Sequence, residues 1–199
     1  PDPDFLPLEY IDAKGNYVGI AADYIALLEK KLGIQFKILK YKNWDEVIEK
    51  TKARESDMWG AATPTPQRLE YMLFTQPFIE LPAGIIAREN TEKSLTLKDL
   101  KGLKVAVISG YGIHDHLSVN HSDIEFDVFP DISTGLKKVS FGMVDAMIAN
   151  IALATHYIEK NGISNLRVAG ESGYMYKWGF ASRSDWPELN HILQKGIDL

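Results

Sequence analysis

The sequence predicts an α/β fold with two lobes, between which the chain passes twice. Short apolar runs alternate with amphipathic helical segments, an order typical of layered α/β domains with parallel strands. A polar stretch at residues 88–98 separates two sets of these elements. The helical segment after Pro187 is too short for a domain of its own, so we expect it to return to the first set. Crossings are then expected near residues 81–88 and 174–183, which suggests a cleft and a hinge.

Helix start and stop signals outline the first lobe, which we predict to comprise residues 1–84 and 179–199. Gly33 follows an amphipathic segment as a helix stop, and Asn43 with Glu46 resembles a capping box. Thr65 followed by Pro66 is a typical N-cap and first helical position. The expected elements are helix 21–32, strand 36–41, helix 43–54, strand 57–62, a helix from Pro66, strand 83–87, strand 179–182 and a closing helix from about residue 185.

The second lobe, predicted over residues 89–174, shows the same alternation of short strands and capped helices. Asp131 is placed as an N-cap, and Gly142 as the stop of the same helix. The expected elements are strand 105–108, a tight turn at 110–112 into a helix, a helix from 131 to 142, strand 144–149, helix 151–160 closed by Asn161 and Gly162, and strand 166–169.

Composition and charge exclude several classes of function. The chain has 199 residues, 45% of them apolar, and a net charge of −5 with no basic cluster. This charge distribution disfavours binding to nucleic acid or to an anionic membrane. The absence of cysteine excludes disulfides and thiolate chemistry. No run approaches the roughly 18 apolar residues of a membrane span. The start lacks a Met or signal-like segment and the end falls within a helical pattern, so we interpret the chain as a module of a longer protein.

Arg68 is the first candidate for ligand binding. It occupies the third position of the helix that Thr65 caps, where backbone N–H groups are unpaired. A guanidinium at that place forms a bidentate receptor for a carboxylate or a phosphate, and the hydroxyl of Thr63 adds a donor. The local pattern leaves an alternative open, in which Arg68 is a surface charge paired with Glu70 or another acid.

Two other chemistries find little support in the sequence. His114, Asp115 and His116, with His121 nearby, are metal-ligating residue types, but helix positions two apart do not face each other. The S-G-Y-G turn that begins at Ser109 does not match the G-x-S-x-G nucleophile motif. We therefore predict no metal, no cofactor and no catalytic residue.

Motifs along essentially the whole chain match a known family in order and spacing. They are G-x-x-x-G at 15–19 followed by Asp23, Trp44, Asp57, T-P-T-P-Q-R at 63–68, F-T-Q-P-F at 74–78, the segment 97–105, S-G-Y-G at 109–112 and G-M-V-D-A-M-I-A-N at 142–150. In these motifs the chain resembles type II periplasmic solute-binding proteins of the amino-acid-binding type (family 3). The resemblance implies their two-lobed Venus flytrap fold with a double-crossover hinge.

The resemblance also implies a set of ligand contacts in the first lobe. In the family, the arginine that matches Arg68 clamps the ligand carboxylate, and the threonine that matches Thr63 assists it. Ala61, on the strand before them, belongs to the same implied set. Aromatic residues that match Phe5 and Trp44 pack on the ligand's side chain, with ordinary core packing as the alternative.

The second lobe is expected to contribute backbone donors. The family turn that matches Gly110, Tyr111 and Gly112 directs N–H groups at the ligand carboxylate. The alternative is an ordinary turn between a strand and a helix. Asn150 completes the predicted ligand-binding residues of this lobe.

Asn150 is also the main departure from the family, whose amino-acid binders carry an aspartate here that pairs with the ligand ammonium. A charged hydrogen bond contributes roughly 1.5–3 kcal/mol, against about 1 kcal/mol for a neutral one. Asn150 therefore argues against an α-amino acid held by a full charge pair. It leaves room for a carboxylate without an amine, or for an amine held by Glu9 or Asp2. Asn150 is also expected to serve as a helix cap, and both roles can coexist.

Together these observations predict an extracytoplasmic sensor domain on the periplasmic or extracellular side of the bacterial inner membrane. A carboxylate-bearing ligand, an amino acid or a related organic acid, would bind in the cleft between the lobes. Closure of the cleft would signal to a membrane-anchored histidine kinase or diguanylate cyclase. We expect this output because segments 73–78 and 149–153 resemble the sensor-kinase branch of the family. Dimerisation of the parent is left open. The alternatives are a free solute-binding protein of an amino-acid ABC transporter and, less expected, a dehydratase-like cleft enzyme.

Overall fold

The computed structural model describes residues 1–91 and 94–198, and these form strands, helices and one 3-10 turn. In chain order the elements are β1 (Asp4–Phe5), β2 (Glu9–Ile11), β3 (Tyr17–Val18), α1 (Ile20–Leu32), α2 (Trp44–Lys52), β4 (Met58–Ala62), α3 (Pro66–Leu69), β5 (Met72–Phe74), β6 (Ile79–Arg88), the 3-10 turn Leu97–Leu100, β7 (Lys104–Ile108), α4 (Gly112–Asn120), β8 (Glu125–Phe129), α5 (Ile132–Ser140), β9 (Ala146–Asn150), α6 (Ile151–Lys160), β10 (Leu166–Arg183) and α7 (Pro187–Asp198).

The chain forms two compact units. Unit 1 consists of Pro1–Glu80 and Lys177–Leu199, and unit 2 of Leu81–Tyr176. The chain passes from one unit to the other within β6 and returns within β10, and these two strands are neighbours in a sheet. The lobe boundaries drawn from the sequence stay predictions, and their ranges include residues 92, 93 and 199, which lie outside the described residues.

Unit 1 is built around the carboxyl-terminal part of β10, which pairs antiparallel with both β4 and β5. Helices α1 and α7 pack against this sheet through a cluster of apolar side chains. α1 ends at Gly33 with a φ of 67°, the left-handed conformation that favours glycine. The members of the cluster are Ile25, Leu28, Phe180, Leu189 and Leu193.

Unit 1 corrects two sequence-based expectations. The alternating segment 36–41 forms no strand among the described residues, because the Phe36 N–H donates to the Glu29 carboxylate (2.7 Å) rather than to a neighbouring strand. The segment 4–18 instead forms a small antiparallel sheet, β1-β2-β3, that the sequence did not predict. Each of its strands has only two or three residues, too few for a periodic pattern to be recognised.

Unit 2 contains the sheet order β6-β9-β7-β8. β9, β7 and β8 run parallel, while β6 pairs antiparallel with β9. The side chains of β7 and β9 are nearly all buried, as expected for parallel strands covered by helices. Helices α4 and α6 therefore begin at the same edge of the sheet, just beyond the carboxyl ends of β7 and β9.

The two separate strands expected at 166–169 and 179–182 are parts of the single strand β10. Gly170 and Gly173 lie between the two predicted pieces and indicate a turn when the sequence is considered alone. The strand continues through them because it pairs with β6 and then with β4.

A buried tryptophan joins α2 to β4 in unit 1. Trp59 is 1% exposed, and its indole N–H donates to the Thr51 hydroxyl at 2.7 Å. The same hydroxyl donates to the Val47 carbonyl one turn earlier in α2. The ring centroids of Trp59 and Trp44 lie 5.1 Å apart. The hydrogen bond from Trp59 to Thr51 therefore also positions this aromatic pair.

Replacing Thr51 with valine should lower the free energy of unfolding by about 1–3 kcal/mol, because the buried Trp59 N–H loses its acceptor. Thr51→Ser retains the hydroxyl and serves as the matched control. Urea denaturation followed by tryptophan fluorescence measures both. Equal stability of the valine variant and the wild type would contradict this account.

Glu9 is a buried carboxyl in the β1-β2-β3 sheet. It is 1% exposed, and it accepts a hydrogen bond from the Tyr17 hydroxyl at 2.7 Å. A Cβ added to Gly60 of β4 would lie 2.6 Å from that hydroxyl, so glycine at this place makes room for the pair. Burial raises the pKa of Glu9 from its ordinary 4.5 to about 7, and the bond from Tyr17 offsets the rise only in part.

The raised pKa of Glu9 predicts stability that falls as pH rises. Between pH 4.5 and about 7 the folded state holds a proton that the unfolded state releases, so folding is most favoured below that window. The full loss is about 3 kcal/mol and is complete somewhat above pH 7. Urea titrations across the window should show this slope in the wild type and lose it in Glu9→Gln. The exposed Glu171→Gln is the control, and an unchanged slope in Glu9→Gln would refute the prediction.

Candidate functional site

Arg68 is a buried cation in unit 1. Its side chain is 4% exposed, and Nη1 donates to the carbonyl oxygen of Thr63 at 2.8 Å. The guanidinium carbon lies 5.3 Å from the centroid of the Trp44 ring and 5.5 Å from that of Trp59. Two aromatic faces and one carbonyl thus orient the planar group. The alternative of a surface charge does not hold, because the side chain is buried.

The local geometry around Arg68 differs from the expected helix terminus. Thr65 caps as predicted, its hydroxyl accepting from the Arg68 N–H at 3.3 Å. However, α3 is only four residues long, so few peptide dipoles are aligned there. Any anion recognition at this place therefore depends on the guanidinium rather than on the helix.

Thr63 places a second polar group beside the Arg68 side chain. The residue is 7% exposed, and its hydroxyl oxygen is buried without a hydrogen-bond partner among the described residues. A buried hydroxyl that lacks a partner costs free energy, so such groups are found where a ligand or water completes them. Ala61 lies two residues earlier at the end of β4 and is 4% exposed.

The aromatic residues of the predicted set are both in the core of unit 1. Phe5 is 4% exposed and packs edge-on against Trp178 at 5.0 Å. Trp44 is 8% exposed and contacts Arg68 and Trp59. Both side chains are thus buried and packed on aromatic neighbours, and whether either also contacts a ligand stays a prediction.

Trp59 belongs to this arrangement, although the sequence analysis did not select it. The two-residue period of a strand could not have identified it, because the register of β4 with β10 shifts between Trp59 and Ala62. Its indole lies 5.5 Å from the guanidinium carbon of Arg68, a contact that depends on the packing of β4 against α3.

In unit 2, the turn at residues 109–112 lies where β7 meets α4. Gly110 has a φ of 67°, which glycine adopts without strain. Tyr111 is the N-cap and its side chain makes no capping bond, and Gly112 is the first helical residue. Two backbone N–H groups of the turn are already used, since that of Ser109 donates to the Phe129 carbonyl at 2.8 Å and that of Tyr111 to the Ile108 carbonyl at 3.4 Å. Donation from this turn to a ligand stays a prediction.

Asn150 ends β9 and is 1% exposed. Its Oδ1 accepts from the Leu153 N–H at 3.0 Å, which confirms that it caps α6. Its Nδ2 is buried without a hydrogen-bond partner among the described residues. β7 and β9 pair in parallel at Val105 with Ala146, and continuing this register places Asn150 beside Ser109. Asn150 and the 109–112 turn thus lie at the same edge of unit 2.

Glu9 and Asp2, the acids considered as partners for a ligand amine, are both buried and both bonded. Glu9 accepts from Tyr17, and Asp2 Oδ1 accepts from the Asp4 N–H at 3.0 Å. With a pKa of about 7, Glu9 is about half protonated at neutral pH and is a weak counter-ion for an ammonium.

Other features of the described chain lie apart from these groups. A cavity of about 510 Å³ in unit 1 is lined by Ile34–Leu39, Met58, Gly60 and neighbouring residues, and by none of the predicted ligand-binding residues. Within residues 1–91 and 94–198, no three His, Cys, Asp or Glu side chains are grouped closely enough to hold a metal ion. No helix in that part of the chain has the length and apolar character needed to cross a membrane.

Comparison with known proteins adds relatives of two kinds. Residues 1–199 match the family model of the bacterial extracellular solute-binding proteins, family 3. The virulence sensor protein BvgS of Bordetella pertussis is 23% identical over 165 residues, which are 83% of this chain and 13% of that protein. The ABC transporter arginine-binding protein 1 of Escherichia coli K12 is 24% identical over 197 residues, covering 97% of this chain and 80% of the relative.

Solved structures agree with this result. The crystal structure of a histidine kinase sensor domain with similarity to periplasmic binding proteins superimposes with a TM-score of 0.90 at 22% identity, covering 99% of this chain and 86% of that one. At such identity the likeness shows the fold, and it confirms the α/β Venus flytrap fold predicted from the motifs. The chain belongs to the bacterial extracellular solute-binding proteins, family 3.

Proposed function

We propose that this domain binds a small carboxylate-bearing ligand and that Arg68 and Thr63 hold its carboxylate. The observation that carries the proposal is the arrangement of the guanidinium, which two indoles and the Thr63 carbonyl orient. A planar, pre-oriented guanidinium binds a carboxylate through two parallel hydrogen bonds and loses little side-chain entropy in doing so. The buried Thr63 hydroxyl supplies a further donor.

The groups at the edge of the unit 2 sheet form the second half of the proposal. The Nδ2 of Asn150 is a buried hydrogen-bond donor, which suits a ligand with oxygen acceptors. The interlobe cleft and its closure, which the family resemblance implies, stay predictions. Small-angle scattering with and without ligand tests closure. A ligand can close the domain only if it makes contacts in the closed state that it does not make in the open state.

We assign the domain to the extracytoplasmic side of a membrane-anchored signalling protein, a histidine kinase or a diguanylate cyclase. The similarity to BvgS and to the histidine kinase sensor domain supports this assignment. The arginine-binding relative supports the alternative, a free solute-binding protein of a transporter. The two differ in the architecture of the parent, because a sensor continues into membrane and output segments, whereas a transport protein consists of the binding domain.

The domain by itself is proposed to be a binding module rather than an enzyme. Nuclear magnetic resonance spectra of bound acids, recorded over hours with the purified domain, test this point. Conversion of a bound acid would favour the cleft-enzyme alternative.

Replacing Arg68 with methionine should abolish the rise in melting temperature that a bound carboxylate causes, because the cation is lost while most of the apolar stem remains. Methionine is preferable to alanine, since the side chain packs between two indoles. The measurement is a thermal-shift screen of amino acids, arginine among them, and of small organic acids.

Arg54→Met is the control for the loss of a cation, because the side chain of Arg54 is 66% exposed and pairs with Asp185 at the surface. It should respond to the screen as the wild type does. An acid that raises the melting temperature of Arg68→Met as much as that of the wild type would show that Arg68 is not the anchor.

A further inference from the structure

We propose that unit 2 associates with a second copy of this chain through an exposed apolar surface beside β8. This β8 surface consists of Asp127, Val128, Lys138, Phe141 and Met143. The contact is independent of the proposed ligand, and it involves only residues of unit 2.

The β8 surface exposes three large apolar side chains to solvent. Phe141 is 74% exposed, Met143 57% and Val128 48%. Phe141 and Met143 flank Gly142, whose φ of 70° turns the chain at the end of α5. A polar residue at either place would leave the core unchanged, so packing within the chain does not explain these side chains. Grouped apolar residues at a protein surface are typical of contacts with another molecule.

β8 lies at the end of its sheet, and none of the described strands pairs with its outer edge. Such an edge is open to a partner unless charges or a cover protect it. Glu125 and Asp127 lie along β8, and direct pairing of two copies of the strand would bring such acids close together. We therefore assign the contact to side chains rather than to a sheet shared by the two copies.

The β8 surface is complementary to itself in shape. A shallow concavity of about 380 Å³ is lined by residues 127–129, Lys138, Met143 and Val144. The protruding ring of Phe141 lies only two residues from Met143 in the chain. A two-fold contact uses the same surface on both copies, so each Phe141 can enter the concavity of the other copy. Aromatic side chains in pockets are common anchors of protein interfaces.

The charges of the β8 surface favour the same partner. Asp127 and Lys138 line the concavity with opposite signs, and neither forms an ion pair with a described residue. Two-fold symmetry sets each Asp127 against Lys138 of the second copy. The chain as a whole has a net charge of −5, which makes two copies repel, whereas one charge of each sign adds no repulsion here.

Sedimentation velocity of the chain from about 1 µM to about 1 mM tests this association. The surface is smaller than the roughly 800 Å² per partner of a standard interface, so we expect a weak dimer with a Kd in the micromolar to millimolar range. A wild type that stays monomeric over the whole range overturns the inference and leaves the β8 surface to a different partner.

Phe141→Lys should raise the Kd of the dimer at least tenfold, because the anchor is replaced by a charge. The side chain is largely exposed, so the melting temperature should stay close to that of the wild type. Leu27→Lys is the matched control, since Leu27 is 49% exposed but lies on α1 of unit 1. It should dimerise as the wild type does. A dimer that Phe141→Lys leaves intact would lie on another face and would refute the assignment.

An exchange of charges tests the contact between Asp127 and Lys138. Asp127→Lys and Lys138→Asp should each weaken self-association, because like charges then face each other across the two-fold axis. An equimolar mixture of the two variants should associate more tightly than either variant alone, since both ion pairs are restored with exchanged signs. Mixing cannot rescue a defect within one chain, so a mixture no tighter than its components contradicts the proposed arrangement.

Discussion

The contact between the Arg68 guanidinium and the Trp44 and Trp59 rings is the interaction on which the candidate site in unit 1 depends. A buried cation is costly unless its surroundings compensate it, and here two aromatic faces and the Thr63 carbonyl do so. Each indole is positioned by a different element. Trp44 begins α2, and Trp59 belongs to β4. The position of the Arg68 side chain therefore depends on how α2 packs against β4.

The hydrogen bond from Trp59 to Thr51 links this site to the core of unit 1. Because Thr51 is in α2, a shift of the helix would move both indoles relative to α3. A guanidinium that is oriented in this way loses less conformational entropy on binding a ligand than a flexible surface arginine does. This difference is the physical reason for treating Arg68 as an anchor.

The candidate groups of unit 2 are of another kind. They include no buried cation among the described members of the predicted site and consist of the turn at residues 109–112 and Asn150. Parallel strands bring these groups together, because the carboxyl ends of β7 and β9 meet at one edge and each continues into a helix. Asn150 serves both the fold and the proposed site, since one end of its amide caps α6 and the other is left to donate. An asparagine at this place caps α6 and carries no charge.

Local chemistry made much of the fold predictable. Several helix ends lie in the structure at the residues that the sequence predicted from capping side chains or from the backbone freedom of glycine. They are marked by Gly33, Asn43, Thr65, Asp131 and Asn150. The family motifs identified the Venus flytrap fold for the same reason, since turns and caps recur at fixed spacing. Segment 36–41 shows the limit, because an alternating pattern becomes a strand only where a neighbour offers a ladder of hydrogen bonds. β10 shows the opposite case, in which pairing with β6 and β4 continues a strand through Gly170 and Gly173.

The candidate site divides along the same line. The sequence by itself determined which residue types stand at the turns, including the arginine after two Thr-Pro pairs and the asparagine where the family carries an acid. Only the tertiary structure decided that Arg68 is buried between two indoles, one of them unforeseen, and that the free end of Asn150 is a donor. The physical reason is that burial and amide orientation depend on neighbours distant in the chain, or on a helix that must first form, whereas caps and turns depend on the next few residues.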